Sequence, residues 1–270
     1  MSVQIVAALL FVGLASALSP AAAANRQFTA EADLMFLTGE YGGDETTDLI
    51  YLPFILKSWS RRYEFSFVVP FLHVEGPTGV FVGAGRGVQV ASETSGKRES
   101  RSGPGDLLVR GEYFVVAGNL RSRPWLSVLG RVKIPTADEN DGLGTGEFDW
   151  TVGVSYTQPL GRRLAGFLDI SRKKVGDPPA QDFQDTTAVA AGASVRFTDR
   201  VSSYLFYDRE DSILRELEDG ESLNLGLSVR PGQDWRFQAS IFIGLSDSRE
   251  DFGAMVGMAR TWDVPERPRP

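Results

Sequence analysis

The chain has 270 residues, 42% of them hydrophobic and 23% charged, with 29 Gly, 14 Pro, no Cys and a formal net charge of −7. Its mean hydropathy of −0.13 excludes a bundle of membrane helices, and the missing Cys excludes disulfide scaffolds, thiolate metal sites, Cys nucleophiles and a lipidated Cys. The acidic balance, pI about 4.9, argues against nucleic acid as a partner.

The first segment reads as a leader. Val3 to Leu18 is an almost uncharged apolar run, followed by Ser19-Pro20 and by small residues that include Ala22 and Ala24. An apolar stretch, a helix breaker and small residues at the −3 and −1 positions form a signal-peptide pattern, with residues 1–24 removed and a mature chain from Asn25. No Lys or Arg precedes the apolar run. A membrane anchor, the alternative, needs about 20 apolar residues, and this run is shorter.

From Asn25 onward the period is two. Tyr63, Phe65, Phe67, Val69 and Phe71 alternate with Glu64, Ser66, Val68 and Pro70; Phe148, Trp150, Val152, Val154 and Tyr156 alternate with Asp149, Thr151, Gly153, Ser155 and Thr157. Such alternation predicts strands with one apolar and one polar face. Twelve are expected, near residues 27–38, 47–57, 63–71, 105–116, 124–135, 148–157, 163–174, 185–197, 200–210, 223–230, 235–245 and 251–263.

The breaks between them alternate between long and short: 39–46 is long, 58–61 short, 76–104 very long, 117–123 short, and so on. A transmembrane barrel has tight periplasmic turns, long outer loops and an even strand count. Strands of about ten residues also fit a tilted crossing of the hydrocarbon, whereas a soluble sandwich has no reason to sort its loops by parity. The expected fold is therefore all-β: a closed antiparallel transmembrane β-barrel over residues 25–263, with a polar tail over 264–270, located in the outer membrane. Its expected partners are the lipid bilayer, lipopolysaccharide and the barrel-assembly machinery. Trp59, Tyr63, Trp125, Phe148, Trp150, Tyr156, Trp235 and Trp262 lie near strand ends, as an interfacial aromatic girdle requires.

With the apolar face outward, the inward set includes Glu31, Asp33, Glu64, Arg110, Glu112, Arg131, Lys133, Asp149, Asp169, Arg196, Arg230 and Arg236. Folding about the turn near Leu120 sets Arg110 near Arg131. Folding about the loop near Asp141 sets Lys133 near Asp149. A lumenal belt of Arg110, Glu112, Arg131, Lys133 and Asp149 follows, whose mixed signs predict pairing across the wall and little net ion selectivity. These charges either line a passage or stiffen a plugged barrel. The 29-residue connection 76–104 either folds into the mouth as a lid or extends two strands.

Catalysis has little support. The single His, His73, falls on the Phe71 side of its strand, and Gly83-Ala84-Gly85-Arg86-Gly87 lacks the following helix that a phosphate loop needs. No catalytic residue, cofactor or dedicated metal site is expected, and the acidic outer loops read as solvated.

Two segments carry a resemblance. Gly105-Asp106-Leu107-Leu108-Val109-Arg110-Gly111-Glu112-Tyr113, and then Lys133-Ile134-Pro135-Thr136, Gly142-Leu143-Gly144-Thr145-Gly146 and Asp149-Trp150, resemble the outer-membrane transporter family labelled as the MetA pathway of phenol degradation. The resemblance implies a barrel that passes small organic, often aromatic or apolar, solutes. The alternative is a plugged structural or surface-binding barrel.

Overall fold

The structure is a computed structural model and describes residues 26–77, 80–83, 86–89, 98–119, 122–178 and 182–264. The expected leader, residues 1–24, lies outside the described residues, as does the tail from residue 265; residue 264 ends the last strand.

The described residues form strands and connections, with no helix among them. The strands are β1 (Arg26–Gly39), β2 (Thr47–Trp59), β3 (Tyr63–Pro77), β4 (Val80–Gly83), β5 (Arg86–Gln89), β6 (Arg98–Pro104), β7 (Leu107–Val116) and β8 (Trp125–Ile134). They continue with β9 (Asp149–Pro159), β10 (Leu164–Lys174), β11 (Thr186–Arg196), β12 (Val201–Glu210), β13 (Gly220–Val229), β14 (Trp235–Gly244) and β15 (Phe252–Val264). Each expected strand is present within a few residues of its expected bounds.

Alternation along each strand creates two surfaces. In β14, Arg236, Gln238, Ser240 and Phe242 are buried, while Trp235, Phe237, Ile241 and Ile243 are 39–46% exposed. Large apolar side chains bared in a continuous belt around the molecule are what a surface solvated by hydrocarbon requires.

Every strand of the wall pairs antiparallel with its neighbours. The order runs β2-β1-β15-β14-β13-β12-β11-β10-β9-β8-β7-β3, and β3 returns to β2, so twelve strands close on themselves. The last joint is β1 on β15, from Arg26 opposite Val264 to Thr38 opposite Phe252. Closure leaves no row of bare N–H and C=O groups to face lipid.

One stave is composite. β7 pairs with the inner half of β3, from Tyr63 opposite Tyr113 to Val68 opposite Leu108, while β6 pairs with its outer half, from Phe71 opposite Pro104 to Pro77 opposite Arg98. The connection 76–104 thus contains a strand extension, one of its two expected readings, and β4 and β5 add a short hairpin. The strand expected from residue 105 begins its pairing at Arg98. Proline sets the irregularity: Pro53 stands opposite Pro70, neither has an N–H, and the Gly105 N–H donates to the Pro70 carbonyl at 2.9 Å.

Two tryptophans depart from the expected girdle. Trp125 shares the inward parity of Ser127 and Arg131 and meets Phe114 edge-on at 5.4 Å; Trp59 shares the inward parity of Ile55. Phe114 is 2% exposed and offers Trp125 an apolar surface, which outweighs an interfacial seat. Trp150, Trp235 and Trp262 face outward as expected.

Inside, the apolar core lies mainly against one side. Met35 and Leu37 of β1, Leu49, Tyr51 and Ile55 of β2, and Val68, Leu72 and Val74 of β3 form one cluster. On another part of the wall Tyr204 stacks on Phe206 at 5.8 Å, and its ring lies over Gly226, where a Cβ would collide with Cζ. Gly226→Ala must push that ring aside and is expected to destabilise the barrel by about 1–3 kcal/mol. Gly130→Ala, where a Cβ meets nothing within 4 Å, should not. Urea unfolding followed by the electrophoretic shift of the folded barrel separates the two; equal midpoints would refute the packing argument.

Candidate functional site

The belt begins where β3, β7 and β8 lie side by side. Glu64 stands directly opposite Glu112, and Arg110 directly opposite Arg131. Like charges in register repel, so each must be neutralised nearby. Arg110 bridges both carboxylates: its guanidinium lies 3.3 Å from Glu64 Oε1 and donates to Glu112 Oε2, while Ser127 Oγ donates to the other Glu112 oxygen. Arg131 turns to the next strand and donates to Thr151 Oγ1 at 3.1 Å.

Toward the long loops, Lys133 is the hub. It stands opposite Asp149 and reaches Asp149 Oδ2 at 3.2 Å, Asp106 Oδ2 at 3.3 Å and Thr145 Oγ1 at 2.6 Å. The other Asp106 oxygen accepts the backbone N–H groups of Thr136 and Ala137, both at 3.1 Å. One lysine and one aspartate therefore hold both ends of the 135–148 loop, with positive φ at Gly142 and Gly146 allowing its reversal. The loop points inward and delivers Leu143, 2% exposed, to the apolar cluster. An inward-folded loop is what the sequence suggested for 76–104.

Two more networks complete the interior. Glu31 binds Lys57 at 2.7 Å and Arg236 at 3.0 Å, and Gln238 donates to both Glu31 and Asp33, at 2.9 and 2.7 Å. Nearer the mouth, Asp208 accepts from Ser222, Asn224 and Arg249, and Lys173 binds Glu210 at 2.7 Å.

Of the expected lining residues, Glu31, Asp33, Arg110, Glu112, Arg131, Lys133, Asp149, Asp169 and Arg236 are buried inside the barrel. Arg196 and Arg230 share the inward parity of β11 and β13 but lie at the tight-turn ends of those strands, where they are half-buried, and Arg196 donates to the Arg162 carbonyl. Strand ends reach water, so their polarity follows from position. Asp106, Thr145, Gln238, Asp208 and Arg249 belong to these networks and were not expected. His73 lies outward on the rim with its Nδ1 2.6 Å from Ser102 Oγ. No group of three or more His, Asp or Glu is placed to hold a metal ion among the described residues.

The walls differ in side-chain size. Inward positions of β1 to β3 carry the large apolar cluster, whereas those of β9, β10 and β11 include the short Gly153, Ser155, Ser171, Ala188 and Ala190 beside the larger Phe167 and Lys173. Twelve strands about 4.8 Å apart and tilted about 40° give a backbone radius of roughly 12 Å. Side chains this short reach only a small part of that distance.

Comparison with known proteins places this geometry. A family model described as "Putative MetA-pathway of phenol degradation" matches residues 24–260. No curated protein matches significantly. Among solved structures, the COG4313 outer membrane channel from Pseudomonas putida F1 is 13% identical, covers 88% of this chain and 96% of its own, and superposes with a TM-score of 0.67. The NanC porin is 7% identical over 86% and 98% of the two chains, with a TM-score of 0.55. The translocator domain of the autotransporter NalP from Neisseria meningitidis is 10% identical over 95% of each chain, with a TM-score of 0.52. These likenesses establish the fold.

The Lys133 hub has a direct test. Lys133→Met leaves Asp106 and Asp149 buried without their cation, an expected loss of about 3–5 kcal/mol. Limited proteolysis should then cut within 135–148, which the wild type resists. A loop equally protected in both would contradict the hub.

Proposed function

The chain belongs to the family of the MetA pathway of phenol degradation, and from that membership together with the lumen geometry we propose that it is an outer-membrane channel for the passive passage of small organic solutes. The observation that carries the proposal is the asymmetry of the interior. Short side chains on β9 to β11 face an apolar cluster and a charged ladder, so a passage against that wall offers a polar route beside an apolar one. Such a surface suits small molecules with an aromatic or aliphatic body and a polar group.

The apolar outer belt and girdle support a seat in the outer membrane, with lipid and lipopolysaccharide as surroundings and the barrel-assembly machinery as the route of insertion. The reading requires no catalytic residue, and His73 on the rim touches none of the interior networks.

A second reading is favoured by one observation: Leu143 and Tyr41, from two long loops, are almost fully buried at the mouth. On that reading the barrel is plugged and acts through its surface. Purified protein in planar bilayers decides. The channel reading expects conductance from the wild type and a changed conductance from Arg131→Ala. A silent wild type that conducts only after deletion of residues 138–145 would establish the plug instead.

A further inference from the structure

Among the described residues almost every buried charge has a partner, and an exception lies on the wall of short side chains. Asp169 of β10 is 8% exposed, and its inward position is fixed by Leu168 and Ile170, which flank it in the chain and face lipid. Among the described residues its carboxylate makes no hydrogen bond and no ion pair, unlike Glu31, Asp33, Asp106, Glu112, Asp149, Asp208 and Glu210.

Its surroundings explain why no protein group reaches it. By register Asp169 stands between Ser155 on β9 and Ala190 on β11, and Ser171 follows two residues on. The charged groups acting on it are Glu112 and Arg110, on the ladder of β7. That guanidinium is already engaged by Glu64 and Glu112. A carboxylate taken out of bulk water and given no protein donor draws cations or hydrogen-bond donors from whatever enters.

We propose that Asp169 sets the charge selectivity of the passage: among the described residues it is the buried carboxylate that no protein cation or hydrogen-bond donor engages, and it favours cations, including the ammonium heads of small organic solutes. The inference rests on the channel reading above and refines the expectation of little selectivity. The charges of the ladder are engaged with one another or with hydroxyls, whereas a carboxylate that no protein group touches, set in a partly apolar passage, is left to meet what enters.

Reversal potentials in a KCl gradient across planar bilayers test this. The wild type is expected to pass potassium in preference to chloride. Asp169→Asn should abolish that preference while conductance persists, and Asp169→Lys should reverse its sign. Asp44→Asn, in an exposed outer loop, should leave selectivity unchanged. Folding of each variant is checked by its heat-dependent electrophoretic shift, with Asp169→Ser as a second neutral substitution. Conducting Asp169→Asn channels with wild-type selectivity would overturn the assignment and leave the channel reading standing. A silent wild type would remove both.

Discussion

The constraint on which the rest depends is backbone hydrogen bonding in a solvent that offers none. Each N–H and C=O crossing hydrocarbon must find its partner within the protein, and an unmatched pair costs several kcal/mol. Twelve strands meet the condition only by returning to their start, which the pairing of β1 with β15 achieves over 13 residue pairs. Once the wall is closed, strict alternation follows: one face belongs to lipid and the other to the lumen. The polar residues gathered inside are a consequence of that partition.

The interior then has its own problem, because charges confined there lose water. The molecule answers with short chains of pairing built around four cations. Arg110 bridges two carboxylates that face each other in register, Lys133 joins two others to a loop hydroxyl, and Arg236 and Lys57 share Glu31. Each network ties strands or loops that are not consecutive in sequence. The same groups that satisfy electrostatics also brace the wall and fix the inward fold of the 135–148 loop. Where partners are short, as around Asp169, a charge is left for the passage.

Much of this was legible in the sequence because short-range rules decide it. Period two gave the strands, tight turns gave the register, and Arg110 opposite Arg131 and Lys133 opposite Asp149 follow from counting residues about two connections. What was not legible arises from closure and from the loops. Gln238 meets Glu31 and Asp33 from more than 200 residues away, a distance bridged only when β14 and β15 come round to β1. Arg249 meets Asp208 because the last loop bends inward. The inward turn of 135–148 depends on Asp106 accepting two backbone N–H groups, and a Gly-Asp pair before a strand signals a turn without naming what it will hold. Trp125 was misplaced for a related reason: its strand end, beside the register shift between Phe114 and Val116, offers both an interface and an inward aromatic neighbour.

Closure is the claim to test most directly, and the absence of native Cys makes the test clean. Thr29 and Thr261 face each other across the β1–β15 joint with their hydroxyl oxygens 2.9 Å apart. A T29C/T261C double variant, isolated from membranes and oxidised, should form an intramolecular disulfide in high yield and migrate as a cross-linked species, whereas either single variant should not. Free thiols in the double variant under the same conditions would show that the first and last strands do not meet, and the barrel would have to be abandoned.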